Sequence, residues 1–277
     1  MVLDLSMELI QATVQLEQPL GNGTRTVGTG FLISAPGPDG QPRTLLVTAN
    51  HVLDKMPGQT ARIGFRISNP DGSWSYSPQA LKIRDEAGHE LWTHHPSRDV
   101  AAMTITAPPA FAKAAIPVDY LAADETFSKN NIGAGDEMMA LGFPRGLAAN
   151  PAGFPILRSG RVASFPVAPS KIFPTFLLDF AVFPGNSGGP VFVSDHSHRR
   201  AGADVGGQDV EFIAGLLTQE VELGGERLEI GIVTHAAYIR ETIGLIGHPT
   251  APVTVAVSQS VMTGARAASA DEAVAPD

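Results

Sequence analysis

Eleven short runs rich in Val, Ile, Leu, Phe and Thr, separated by clusters of Gly, Pro, Asn and Asp, constrain this chain more than any other feature of its sequence. They are MELIQATVQLE, TVGTGFLIS, TLLVTA, TARIGFRI, DVAAMTI, GDEMMALGF, SGRVASF, FLLDFAV, PVFVS, EFIAGLLT and LEIGIVT. Runs of this length and composition read as strands, and the breakers between them supply the turns. At this spacing they suit one or two antiparallel barrels, so the expected fold class is all-β. With 29 Gly and 22 Pro in 277 residues, tight turns are plentiful and long helices are not. One helix is expected after the last strand, where AAYIRETIG has apolar residues at helical spacing and Gly244 as a stop.

Composition narrows the function. Apolar residues make up 43% and charged residues 17%, enough to bury a core and too little polarity for wholesale disorder. The formal charge of −9 argues against a nucleic-acid partner, which needs a basic footprint. Without cysteine there is no disulfide, thiolate nucleophile, iron–sulfur cluster or cysteine-based zinc site. No uninterrupted apolar stretch is long enough for a membrane span, and the opening MVLDLSMELIQATVQLEQ is acidic where a secretory leader is basic. A soluble, unprocessed, cytoplasmic protein without membrane contact is expected. From residue 247 to 277 the sequence turns to Ala, Ser, Val and Pro without periodicity, as in a flexible tail.

Three segments carry chemistry, each where an apolar run meets a turn. TLLVTANHVL delivers His51, PSRDVAAMTI opens on Asp99, and VFPGNSGGPVF holds Ser187 among Gly185, Gly188 and Gly189. A lone His beside a strand is usually a capped or exposed residue, and an Asp before an apolar run is usually a turn residue. The serine turn is sharper. A nucleophilic hydroxyl must be uncrowded and lie beside backbone N–H groups aimed at a developing oxyanion, and glycines permit the backbone this takes.

The order His, Asp, Ser in TANHVL, RDVA and GNSGGP resembles the trypsin-like (chymotrypsin-fold) serine peptidases, and most closely their bacterial HtrA-like branch. GTGFLIS, ALGFPRG, LRSGRVAS, IAGLLT and GIVTHAAYIRETI extend the likeness colinearly over about residues 7–246. The resemblance implies two antiparallel six-stranded β-barrels packed face to face, with a C-terminal helix. A peptidase domain over 1–246 would hold one barrel over about 7–120 and the other over about 130–246. It implies Ser187 as nucleophile, His51 as general base and acid, and Asp99 as the residue that orients His51. The N–H groups of Gly185 and Ser187 would form the oxyanion hole, and Thr218 falls where relatives often carry a hydroxyl bonded to the aspartate.

Departures from the family pattern refine this expectation. Asn186 stands where digestive members carry an aspartate that pairs with a freshly cleaved N-terminus, so activation by cleavage is not expected. The enzyme would be active as made, or be ordered by an activating partner or by substrate. Ala181, Val182, Leu217, Thr218, Gly231 and Val233 fall at the specificity-pocket positions. They offer no carboxylate, and an unpaired Lys or Arg would be costly to desolvate there. Cleavage of a protein or peptide substrate after small or medium apolar residues follows. The residues beyond 246 are too few for the PDZ module usual in HtrA proteins, so a stand-alone peptidase domain is expected. No cofactor or metal is expected. Two competing readings are a catalytically inactive scaffold that binds peptides or proteins on the same fold, and a metal site built from His94, His95, His196 and His198.

Overall fold

The first apolar run splits into two elements in the computed structural model, which describes residues 4–21, 23–195, 209–223 and 226–247. Asp4 accepts hydrogen bonds from Ser6 N and Met7 N (3.0 and 3.2 Å), which caps a helix α1 over Leu5–Ala12. Leu5, Leu9 and Ala12 recur at helical spacing on its buried face, and only from Thr13 does the chain extend. The strands are then β1 (Thr13–Pro19), β2 (Arg25–Pro36), β3 (Pro42–Thr48), β4 (Thr60–Ser68), β5 (Trp74–Lys82), β6 (Thr93–His94), β7 (Ala101–Thr104) and β8 (Ile116–Pro117). The second half contributes β9 (Glu137–Gly142), β10 (Ile156–Val162), β11 (Thr175–Asp179), β12 (Pro190–Asp195), β13 (Val210–Leu223) and β14 (Glu226–His235). Helices α2 (Asn50–Asp54), α3 (Pro109–Ala114), α4 (Asp124–Lys129) and α5 (Ala236–Leu245) complete the described elements.

The expected pair of closed barrels is not what forms, and the fold is not all-β. Strands β9 to β14 close into one six-stranded barrel in the order β10-β11-β14-β13-β12-β9. The N-terminal strands instead form an open eight-stranded sheet, β5-β4-β1-β2-β3-β7-β6, with β8 added in parallel to β2. Closing it would require β5 to pair with β6. β6 is only two residues long, and β5 is largely exposed and carries Pro78, which has no N–H for a ladder. The short helices α3 and α4 were not legible as periodic runs. The expected tail and the His196–His198 loop lie outside the described residues.

The halves are joined by specific bonds. Arg66 of β4 is 2% exposed and donates to the carbonyls of Gln11 (2.6 Å), Thr13 (2.8 Å) and Gly153 (3.0 Å), with its guanidinium against the rings of Phe111 and Phe154. Burial lowers its pKa to about 10, still far above neutrality, so it stays charged and needs those acceptors. Helix α5 leaves the barrel and returns to the sheet, where Glu241 accepts from His95 Nε2 at 3.0 Å and Tyr238 meets the His95 ring edge-on. Helix α5 runs one residue past Gly244, and Gly247, with φ +90°, is the glycine that follows it. His235, at the end of β14, is 1% exposed, with Phe127 and Phe176 each 5.0 Å away, and its Nε2 has no protein partner. Burial pushes its pKa down to about 4, so it is a neutral core residue.

Candidate active site

Register brings His51 and Asp99 together. β3 and β7 pair antiparallel, with Thr48 opposite Ala101, so the residues just after β3 and just before β7 emerge at the same end of the sheet. His51 lies in the first turn of α2, three residues after Thr48, and Asp99 precedes Ala101 by two. One carboxylate oxygen of Asp99 lies 2.6 Å from His51 Nδ1, and the other accepts from the His51 backbone N–H at 2.9 Å. A carboxylate held at both oxygens by one residue leaves the imidazole little freedom. It also favours the proton on Nδ1, which makes Nε2 the available base. Each side chain is about a quarter exposed, so the pair borders solvent. The Asp99 loop is braced by His95 N donating to Val100 O (2.9 Å), and His95 is in turn held by α5.

Ser187 sits in a turn that packs backbone against backbone. Gly185 and Gly188 have φ of +98° and +87°, values that side-chain-bearing residues rarely adopt. A Cβ on Gly188 would lie 2.1 Å from Thr29 O, and one on Gly189 2.0 Å from Leu141 O. The turn is closed by Asn186 N to Phe183 O (3.0 Å), Gly189 N to Asn186 O (3.1 Å) and Gly188 N to Leu217 O (2.7 Å). Among the described residues, neither Gly185 N–H nor Ser187 N–H donates to a protein acceptor. The half-buried Ser187 hydroxyl donates to Thr218 O at 3.1 Å and makes no hydrogen bond to His51.

A residue that motif reading passed over joins the turn to the sheet. Thr29 of β2 is fully buried, its N–H donates to Ser187 O (2.9 Å), and its hydroxyl donates to Gly185 O (2.6 Å) and accepts from Phe143 N (3.1 Å). Its only signal in the sequence is its place between Gly28 and Gly30 in GTGFLIS, which reads equally well as ordinary strand. Arg145 and Arg158 also converge here, both over the ring of Phe183 at 5.6 and 5.4 Å.

The residues expected to line a specificity pocket are only partly brought together. Val182, Leu217 and Gly231 touch: a Cβ on Gly231 would lie 3.0 Å from Val182 Cγ2 and 3.1 Å from Leu217 Cδ1. Leu217 also borders a small cleft with Arg158, Phe180 and Asn186, whose buried Oδ1 has no protein partner. Ala181 is half-buried, whereas Val233 is fully buried in the barrel core. The Thr218 hydroxyl donates to Ile232 O at 3.1 Å rather than to Asp99. Of the histidines considered as metal ligands, His94 lies 3.9 Å from Glu90 and His95 is committed to Glu241. Among the described residues no group of three or more His, Asp or Glu side chains is arranged to hold a metal ion. No described helix is long and apolar enough to cross a membrane.

Comparison with known proteins gives the family and the fold. The family model for the trypsin-like peptidase domain matches residues 28–198, which takes in all three of His51, Asp99 and Ser187. No curated protein matches the sequence. Among solved structures, the HtrA-type protease AlgW with a tripeptide superposes with a TM-score of 0.50 at 16% identity, over 88% of this chain and 62% of its own. This chain thus spans less than two thirds of that protease. The Rv3671c protease from M. tuberculosis in its active form gives 0.50 at 18% identity, over 90% of this chain and 86% of its own. The serine protease AL20, from an extremophilic microorganism, gives 0.50 at 15% identity over 88% and 100%. At these identities the structures report the fold alone, and it is the family model, covering more than half of the sequence, that identifies the chain as a member of the trypsin-like peptidase family.

Proposed function

We propose that the chain is a serine endopeptidase that cleaves protein or peptide substrates through His51, Asp99 and Ser187. The observation that carries this reading is the double engagement of His51 by Asp99 at the sheet end, beside a serine turn with two unused N–H groups. In the reaction, rotation about χ1 takes the Ser187 hydroxyl from Thr218 O to His51 Nε2. His51 accepts the proton as Ser187 Oγ bonds to the scissile carbonyl carbon, and the carbonyl oxygen becomes an oxyanion. The N–H groups of Gly185 and Ser187 donate to that oxyanion, an effect worth about 3 to 4 kcal/mol for one such donor. His51 then gives its proton to the departing amine, the C–N bond breaks, and an acyl-enzyme remains. Water repeats the cycle with His51 as base, releasing the acid and restoring Ser187. Asp99 stays ionised and stabilises the imidazolium.

Small and apolar residues around the site, Ala181, Val182, Leu217 and Gly231, favour substrates with a small or medium apolar residue before the scissile bond. A cation there would lose its hydration without a counter-charge. One observation favours a second reading, an inactive peptide-binding scaffold: the Ser187 hydroxyl rests on Thr218 O and not on His51. Resting serine–histidine bonds are often long in peptidases without substrate, so the catalytic reading is preferred. A fluorophosphonate probe separates the two. The full chain is expected to label at Ser187, to lose labelling in Ser187→Ala, and to cut a peptide library after Ala, Val or Leu at least tenfold faster than after Lys. An unlabelled Ser187 would establish the scaffold.

A further inference from the structure

We infer that Thr29 is the positioning residue that sets the oxyanion-binding geometry of the serine turn, acting from the N-terminal sheet on a turn that belongs to the barrel. The inference rests on the reading of Ser187 as nucleophile. β3 pairs with β2 only as far as Thr48 opposite Gly30, so the edge of β2 at Thr29 has no ladder partner on that side. The serine turn takes that place. Thr29 N–H donates to Ser187 O, and Thr29 O accepts from the Thr48 hydroxyl at 2.7 Å.

The consequence follows from peptide planarity. In a trans peptide the C=O and N–H of one plane point in opposite directions, so holding the carbonyl aims the N–H. Four successive carbonyls in the turn each have a donor. Pro184 O accepts from Arg145 N, Gly185 O from the Thr29 hydroxyl, Asn186 O from Gly189 N, and Ser187 O from Thr29 N. The first and third of these planes carry the N–H groups of Gly185 and Ser187. Thr29 holds the second and fourth, which flank the plane of the Ser187 N–H, and the second also borders the plane of the Gly185 N–H, so Thr29 fixes the Cα positions from which both N–H groups are aimed. The same hydroxyl accepts from Phe143 N, two residues before the Arg145 N–H that holds Pro184 O. One buried hydroxyl therefore braces both sides of the Pro184–Gly185 peptide.

Thr29→Val keeps the β-branched shape and removes both hydroxyl bonds, whereas Thr29→Ser keeps both bonds and removes the methyl. In the full chain, Thr29→Val is expected to lower kcat and the rate of Ser187 phosphonylation about 100-fold, the size of effect seen when an oxyanion donor is lost or misplaced. KM is expected to change less than about threefold, and affinity for a peptide aldehyde, whose adduct forms an oxyanion, to fall in step with kcat. Thr29→Ser is expected to stay within about threefold of the parent. Amide exchange of Phe143 is expected to accelerate in Thr29→Val, with the β9 amides unchanged. Parent kcat in Thr29→Val, a tenfold or larger loss in Thr29→Ser, or unchanged Phe143 exchange would each overturn the inference. If Thr29→Val does not fold, the Thr29→Ser result decides alone. If the parent chain fails to label at Ser187, the peptidase reading fails, while exchange at Phe143 and across residues 184–189 still decides whether Thr29 holds the turn.

Discussion

Replacing Asp99 by Asn tests the site at its best-defined point. Both carboxylate oxygens of Asp99 are engaged by His51, one at Nδ1 (2.6 Å) and one at the backbone N–H (2.9 Å). An ionised carboxylate only accepts, so it satisfies two donors at once. An amide has one oxygen and one NH₂ group and cannot. If its oxygen keeps the backbone N–H, its NH₂ faces Nδ1, and the imidazole must carry its proton on Nε2. The ring's lone pair then points at the introduced amide rather than at Ser187, and the base is lost. If the amide flips, the NH₂ meets the backbone N–H, and a partly buried donor pair repels. The first outcome is cheaper, because it keeps two hydrogen bonds. The expected loss is about 10⁴-fold in kcat, the size this change has in triad peptidases, which corresponds to about 5 kcal/mol of transition-state stabilisation. Steady-state hydrolysis of a fluorogenic peptide with an apolar residue before the cleaved bond reads it, with KM expected to move little. A kcat in Asp99→Asn within tenfold of the parent would refute the tautomer argument, and with it the assignment of His51 as base.

Two further perturbations follow from the packing. His235 has a pKa of about 4 in the folded protein against 6.5 for the free side chain, so the unfolded chain binds this proton first as pH falls. Its contribution is complete above pH 6.5 and is lost progressively down to about pH 4, where roughly 3 kcal/mol is gone. Urea unfolding of the parent and of His235→Leu between pH 7.5 and 4 should show that difference in slope, and parallel profiles would contradict it. Gly188→Ala places a Cβ 2.1 Å from Thr29 O at a φ of +87°, so it should cost about 3 kcal/mol or more and reduce probe labelling of Ser187 at temperatures where the variant is folded. Thermal unfolding and labelling at the parent rate would show that the turn is not closed as described.

Much of the site was legible because its signals are local. Glycines are needed where φ is positive, and GNSGGP places them around Ser187 whatever the rest of the chain does. The apolar run before His51 and the one after Asp99 became β3 and β7, and a terminal helix formed where AAYIRETIG predicts one. Local pattern failed where two structures share it. MELIQA has apolar residues that suit either a strand or a helix, and the Asp4 cap decided for the helix. Counting apolar runs allowed one or two barrels and the family resemblance implied two, but closure depends on whether distant edges can pair, and β5 and β6 do not.

Local sequence thus sets which residue types stand at turns and strand ends, because backbone sterics and side-chain periodicity act within a few residues. Tertiary structure alone decided that Thr29 meets Gly185 and Ser187, that the Ser187 hydroxyl rests on Thr218 O, that the Thr218 hydroxyl turns to Ile232, and that Arg66 reaches Gly153. These bonds join residues from 14 to 158 positions apart. No local preference selects such a pair: each buried donor must find an acceptor once water is excluded, and which acceptor is in reach depends on strand register and on how the sheet and barrel pack.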